Sequence, residues 1–466
     1  MGKRVNILSS ALLIFIFGGI VAFFTKTTYI ISNTLWIYIY TPIINFLTDW
    51  DFFAQLIFTF YDLLFIVGIV IVIISDGVII PLALYHYFKK EKVDEEIKFW
   101  PPITIMIPAY NEEVNLARTI QTVYDAKYEG DKEIIVINDG SKDRTEEIAE
   151  EFAEKGMVEL ITRKNGGKTA AINAGLISAR GEIIVVIDGD GIIKENALEE
   201  LIKKFQRKEV GAVAGNIKVG NRVNLISKIQ HLEYLRDINI PRRAFCMLDC
   251  VMVVPGPLGG FRRELLYSIG RYDHDTKTED FDLTVKILKS KRHKIAVSQK
   301  AMAFTESPTS WRGLWKQRMR WYGGMLETLR KHRDIITFNA SKYGNLSRIG
   351  GWYTFSALTF VPVMELFVFA GLVGYLLMLL LGMPVSVVTF LFAFLSFIAI
   401  ELILTWIALA MEKENLSYGL WAPAFVFPYR QFLNVIKIVA FFKVFVLKKP
   451  IQWNKLERTG LPPVPT

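Results

Sequence analysis

Cysteine is scarce. Only Cys246 and Cys250 occur among 466 residues, which excludes a disulfide-stapled scaffold. A C-x3-C pair without further cysteine or nearby histidine is also a poor zinc signal, so the two are read as ordinary thiols of a reducing compartment. Nucleic-acid-binding motifs are missing, although the formal net charge is +9. The positive excess points instead to a cytoplasmic membrane face, anionic lipid head groups or a phosphorylated substrate. The first apolar run lacks a small-residue cleavage site, so an uncleaved membrane helix is expected in place of a signal peptide. Corresponding halves with polar, Gly/Pro-broken helices are missing too, which argues against a transporter carrying a large soluble domain.

What the chain has in excess is apolar residues, at 52%, and they gather at its two ends. Lys3-Arg4 precede an apolar run from Ile7 to Phe24. Residues 29–48 form a weaker stretch carrying Pro42, either a further span or a segment packed on the outer surface. Residues 52–87 are apolar apart from Asp62 and Asp76, more than the ~20 residues a span requires. Lys89-Lys90-Glu91-Lys92 follow, and two spans before them put both basic flanks on the cytoplasmic side. Near the other end, residues 352–381 and 385–411 are long enough to span. Residues 420–447 are broken by Pro423, Pro428, Arg430, Lys437 and Lys443, which predicts a re-entrant, interfacial or hairpin segment. The expected organisation is a membrane region over 1–97, a cytoplasmic domain over 98–340 with interfacial helices toward its C-terminal end, and a second membrane region over 341–466.

Between the ends the composition is that of an ordinary globular domain, and strand and helix signals alternate. Residues 103–108, 133–137, 158–161 and 183–187 are short branched-aliphatic runs, each followed by a polar cluster and, for the first three, by a helical pattern. That order predicts βαβ units, an α/β domain and a mostly parallel sheet. The polar clusters then converge on one sheet edge, where open α/β sheets bind ligands. Five aliphatics, Ile183 to Ile187, run straight into Asp188-Gly189-Asp190. Two carboxylates one residue apart at such an edge can hold a hard divalent cation that bridges a diphosphate; a plain Asp/Gly turn is the alternative. Pro255-Gly256-Pro257 and Gly259-Gly260 mark a close backbone approach.

Five elements recur in one order: Pro108-Ala109-Tyr110-Asn111-Glu112, Asn138-Asp139-Gly140-Ser141, Asp188-Gly189-Asp190, Thr278-Glu279-Asp280 and Gln317-Arg318-Met319-Arg320-Trp321. Together they resemble the family 2 inverting glycosyltransferases, in particular the membrane-embedded processive branch that makes cellulose, chitin, hyaluronan and poly-N-acetylglucosamine. The resemblance covers residues 101–325 and the membrane layout around them. It implies a nucleotide-binding sheet of GT-A type inserted between N- and C-terminal transmembrane helices. It also implies transfer of a UDP-activated hexose, N-acetylglucosamine first among them, to a growing polysaccharide. The runner-up is single transfer to a lipid-linked or short glycan acceptor.

Residue by residue, the resemblance assigns Pro108, Tyr110 and Glu112 to the nucleotide base and ribose, and Asp139 to the uracil imide. Family members often carry a first Asp where this chain has Asn138. Lys168, after a Gly pair, suits a phosphate. Asp190 is implied as the direct ligand of Mg²⁺ or Mn²⁺, with Asp188 as a sugar or ribose contact beside it. Asp280 is implied as the general base, with Glu279 and Asp282 less certain and plain helix surface the alternative for Asp282. Gln317, Arg320 and Trp321 share one helical face. There Arg320 would grip the diphosphate and Trp321 would carry the acceptor sugar. The partners implied are the UDP-sugar, the growing glycan, membrane lipids and, in some members, an accessory subunit. Glu365 and Glu401 lie inside apolar runs, where facing lipid is costly. Each is expected either to pair with a basic residue such as Arg430 or to line a passage for the glycan.

Overall fold

The computed structural model describes residues 77–89, 96–337, 339–380, 387–451 and 460–461. The apolar runs before residue 77 lie outside them. The chain divides into two units, Met1–Pro81 with Met364–Val385, and Leu82–Val363 with Ser386–Thr466. In the first, residues 77–81 and 364–380 are helical. The second holds the sheet and every candidate site residue.

The four aliphatic runs are strands: β1 (Ile103–Ala109), β2 (Lys132–Asn138), β3 (Glu159–Thr162) and β4 (Ile183–Val186). They are parallel, in the order β3-β2-β1-β4. Helices α1 (Leu116–Asp125), α2 (Thr145–Glu154) and α3 (Lys168–Ser178) connect them. β1 and β4 are buried along their whole lengths, as a strand covered on both faces should be.

Beyond β4 the sheet stops being purely parallel. Its full order is β3-β2-β1-β4-β7-β6-β8-β5, with β5 (Ile192–Ile193), β6 (Val210–Val219), β7 (Gly259–Arg262) and β8 (Lys294–Thr305). β7 runs antiparallel to both β4 and β6, and β6 pairs parallel with β8. The expected mostly parallel sheet is thus a parallel half joined to a mixed half. The close approach predicted at the glycines is real. A side chain at Gly260 would strike Leu201 and Phe205 of α4 (Ala197–Phe205), and one at Gly256 would lie 2.5 Å from Lys168 Nζ.

Leu225 to Met247 is one helical rod, made of α5 (Leu225–Glu233), a π turn (Tyr234–Asn239) and α6 (Ile240–Met247). Two further helices bear on the site, α7 (Glu279–Ser290) and α8 (Trp311–Lys331). α8 packs against the C-terminal α11 (Gln431–Phe441), which follows α9 (Phe360–Leu380) and α10 (Val387–Met411).

Three stretches among the described residues are long and apolar enough to cross a membrane: Phe360–Leu380, Phe394–Met411 and Leu416–Val446. The last is the segment expected to be re-entrant or a hairpin. Two helical segments meet there at Phe427, whose extended backbone breaks the helix before Pro428.

Glu401 lies in α10 and is 2% exposed. Its carboxylate accepts from Arg430, at 3.0 and 3.2 Å, and from Arg236. Of the two expectations for this residue, the ion pair is the one realised. Glu401→Leu would remove the buried carboxylate that both guanidinium groups share, leaving Asp237, 3.8 Å from Arg236, as a more exposed counter-ion. It is expected to destabilise the protein by on the order of 3 kcal/mol, with Glu401→Gln costing less. A melting curve in detergent checks this, and an unchanged midpoint for the leucine variant would contradict it. Glu365 is half-buried on α9.

A second set of buried charges fixes the end of α10 to the sheet. Glu412 accepts from Arg243 at 2.6 Å and Asn216 at 2.8 Å, and Glu414 from Lys218 at 2.8 Å and Arg222 at 3.2 Å.

Candidate active site

The C-terminal edge of the parallel half carries the polar clusters. Asn138 closes an Asx turn, its Oδ1 accepting from the Ser141 N–H at 3.0 Å. Next to it, the buried Asp139 carboxylate accepts from the Gly166 N–H at 3.1 Å, the Gly167 N–H at 2.7 Å and Arg163 at 2.5 Å. Gly167 has φ +86°, a conformation that favours glycine. This bend lets two successive N–H groups face one carboxylate. Arg163 and the Gly166-Gly167 turn therefore set Asp139, a role for Arg163 not expected from the sequence. Pro108 is buried at the end of β1, Tyr110 is half-buried, and Glu112 is buried with its N–H donating to Thr145 Oγ1 at 2.7 Å. Glu112 also borders Gly189, where an added Cβ would lie 3.2 Å from its Cγ.

Lys168 is the hub. Its Nζ lies 2.5 Å from Asp188 Oδ1 and 2.9 Å from Glu279 Oε1, so the first turn of α3 joins the end of β4 to the start of α7. Burial pushes the Asp188 carboxyl up despite Lys168, and the charge of Asp190 pushes the same way. Burial also works against the Glu279 carboxylate, but Lys168 outweighs it and Arg320 adds to the effect, so Glu279 is held below the usual carboxylate range. Asp280 is the opposite case. Burial and then the neighbouring Glu279 charge raise it to about 6, a value suited to a base near neutral pH. A small cavity runs beneath these groups, lined among others by Lys168, Val186, Pro255, Tyr272, Glu279 and Asp280.

Asp190 is buried, 5% exposed, and accepts from Thr305 Oγ1 at 3.3 Å. Burial and then the charge of Asp190 raise the cost of ionising Asp188, and with both side chains offering oxygen the pair fits a hard divalent cation. Asp273, Asp275 and Asp282 also bring ligating atoms within 4.8 Å of one another. There, however, the Lys331 ammonium already donates to all three, at 2.7, 2.7 and 3.1 Å, so that group is a salt-bridge cluster. Asp282 is 1% exposed and bonds His332 at 2.9 Å, so the alternative of a plain helix-surface position is corrected. Its place in the apolar register of α7 hides it.

α8 packs on the Thr278-Glu279-Asp280 turn at Gly324, just past the fifth motif. A Cβ at Gly324 would sit 2.7 Å from Thr278 Cγ2, so glycine is what lets the two approach. Gln317 is buried and accepts from Arg318. Arg320 and Trp321 are half-buried on the same turn. Tyr234, from the π turn, stands between the parts: its phenol feels the Asp190 charge, and its ring centroid is 6.2 Å from that of Trp321. Sequence reasoning missed Tyr234, Thr305 and Glu233. A signal for Glu233 was present, because Ile226, Ile229 and Glu233 at i, i+3 and i+7 set a carboxylate on the apolar face of a helix.

A parallel half-sheet whose C-terminal edge gathers Asp139, Lys168, Asp188 and Asp190, joined to a mixed half, defines an α/β fold of GT-A type. The same fold occurs in the mannosyltransferase PcManGT from Pyrobaculum calidifontis, solved with GDP-Man and Mn²⁺. It is 19% identical with a TM-score of 0.57, over 83% of this chain and 100% of that one. Residues 104–270 match the family described as Glycosyl transferase family 2. Poly-beta-1,6-N-acetyl-D-glucosamine synthases of Staphylococcus aureus and Staphylococcus epidermidis are 32% identical over 256 residues. That match spans 53% of this chain and 62% of the length of those relatives.

Proposed function

We propose that this protein is a membrane-integral, processive, inverting β-glycosyltransferase that moves N-acetylglucosamine from its UDP ester onto a growing polysaccharide. The observation that carries the reading is Lys168, whose ammonium lies 2.5 Å from Asp188 and 2.9 Å from Glu279 and so sets the Asp188-Gly189-Asp190 edge beside the turn that carries Asp280. The synthase relatives support the choice of sugar. The three apolar stretches support a multi-pass protein, with its catalytic domain on the cytoplasmic side between residues 98 and 340.

In this reading Asp280 takes the proton from an acceptor hydroxyl as that oxygen bonds the anomeric carbon. The bond from that carbon to UDP breaks on the opposite face, which inverts the configuration. Arg320 and Lys168 receive the charge of the departing diphosphate. Asp139, Tyr110 and Glu112 hold the nucleoside, and Trp321 offers an apolar face for the acceptor ring. Asp190, with Asp188 beside it, would hold Mg²⁺ or Mn²⁺, which when bound supplies charge neutralisation for the diphosphate. Lipid surrounds the apolar helices, and an accessory subunit is compatible with this scheme.

The test is purified protein in nanodiscs with a panel of radiolabelled UDP- and GDP-sugars, followed by a gel of the product. A ladder of long products from UDP-N-acetylglucosamine is expected. A single-sugar adduct, or incorporation from another donor only, would overturn the proposal.

A further inference from the structure

Beneath Trp321 lies a buried polar assembly that the reaction scheme above does not use. Arg318 is fully buried. Its Nε and Nη2 donate to the two oxygens of Glu233 at 3.1 and 2.7 Å, and its Nη1 donates to Gln317 Oε1. Tyr429, from the Leu416–Val446 apolar stretch, donates its hydroxyl to Glu233 Oε2. The guanidinium lies 4.0 Å from the Trp321 ring centroid and 5.9 Å from that of Tyr234.

A buried ion pair is an inefficient way to gain stability, since apolar groups of similar volume often do as well or better. What the two-point fork adds is a fixed plane. With both carboxylate oxygens engaged and Nη1 tied to Gln317, the guanidinium cannot rotate, and the indole stacked near it is held at a set tilt. Arg320 and Trp321 share a turn with Arg318. The same clamp therefore sets the ring proposed to carry the acceptor.

We propose that Glu233 is a positioning residue for acceptor transfer, locking Arg318 under Trp321 and tying that platform through Tyr429 to the last apolar helical stretch. The proposal rests on the reading of Trp321 as the acceptor platform. It places a determinant of polymerisation on α5. Movement of the Leu416–Val446 stretch would reach the Glu233 clamp through the Tyr429 hydroxyl.

The test compares wild type, Glu233→Gln, Arg318→Lys and Tyr429→Phe in nanodiscs. Three quantities are measured: UDP-N-acetylglucosamine hydrolysis without acceptor, transfer to an added N-acetylglucosamine oligomer, and the KM of each substrate. Glu233→Gln and Arg318→Lys are expected to lower transfer by about tenfold or more, because a displaced reacting group is costly, and to raise the oligomer KM. Hydrolysis and the UDP-sugar KM should stay within about twofold, as expected when one substrate's contacts alone are lost. Tyr429→Phe removes one hydroxyl and keeps the volume, so it should move the same ratio in the same direction by a smaller factor. It decides the matter if the charge variants fail to fold. Equal losses of hydrolysis and transfer, or an unchanged ratio of the two, would overturn the role of Glu233. A wild type that neither polymerises nor hydrolyses the UDP-sugar would instead overturn the functional reading beneath it.

Discussion

Asp280→Asn is expected to lower kcat by roughly 10²–10⁴-fold while UDP binding stays nearly unchanged. The amide keeps the size of the side chain and its place in the first turn of α7, but it cannot take a proton. A general base acts as the acceptor hydroxyl is deprotonated, so its loss appears in turnover. The environment sharpens the expectation. Burial, then the adjacent Glu279, raises the Asp280 carboxyl to about 6, so the base is ionised above that pH and protonated below it. In wild type kcat/KM should fall with a one-proton slope as pH drops through about 6, and rise to a plateau toward neutrality. Single-turnover transfer and UDP binding, each followed across pH, check both statements. Retention of more than about a tenth of turnover by the asparagine variant would remove Asp280 from the role of base.

Chelation and Asp190→Ala should converge on the same large loss. Asp190 and Asp188 end a buried strand, and the charge of one raises the ionisation cost of the other, a conflict that a divalent cation relieves. Activity is therefore expected to require Mg²⁺ or Mn²⁺. Loss of the Asp190 carboxylate should cost on the order of 10³-fold, because several kcal/mol of charge stabilisation is at stake. Metal titration after exhaustive chelation, with calorimetry of Mn²⁺ binding to the protein and UDP as an activity-independent readout, checks it. Undiminished activity in excess chelator, or undiminished Mn²⁺ binding by the alanine variant, would contradict the assignment.

The parallel half of the sheet and its edge were legible because each strand is a local aliphatic run that ends in its own polar residues. Period and punctuation were enough for β1 to β4, for α1 to α3, and for the convergence of Asp139, Lys168, Asp188 and Asp190 on one edge. The ordered motifs carried Asp280 and Arg320-Trp321. The antiparallel β7 was not legible. Val186 pairs with Gly259 across the sheet, and two glycines say that something approaches without saying what.

Distant partners were not legible either. The sequence left Glu401 two roles, and tertiary contact with Arg236 and Arg430 chose the ion pair. It left Asp282 the alternative of a plain helix surface, but packing against Lys331 and His332 buries it. What the sequence by itself determined is the set of elements that depend on neighbours along the chain: strand runs, helix faces and the chemistry each polar cluster can perform. Only the tertiary structure decided which charges neutralise one another. Whether a buried carboxylate becomes a base, an anchor or part of a clamp depends on the groups the fold brings to it, and those come from remote segments.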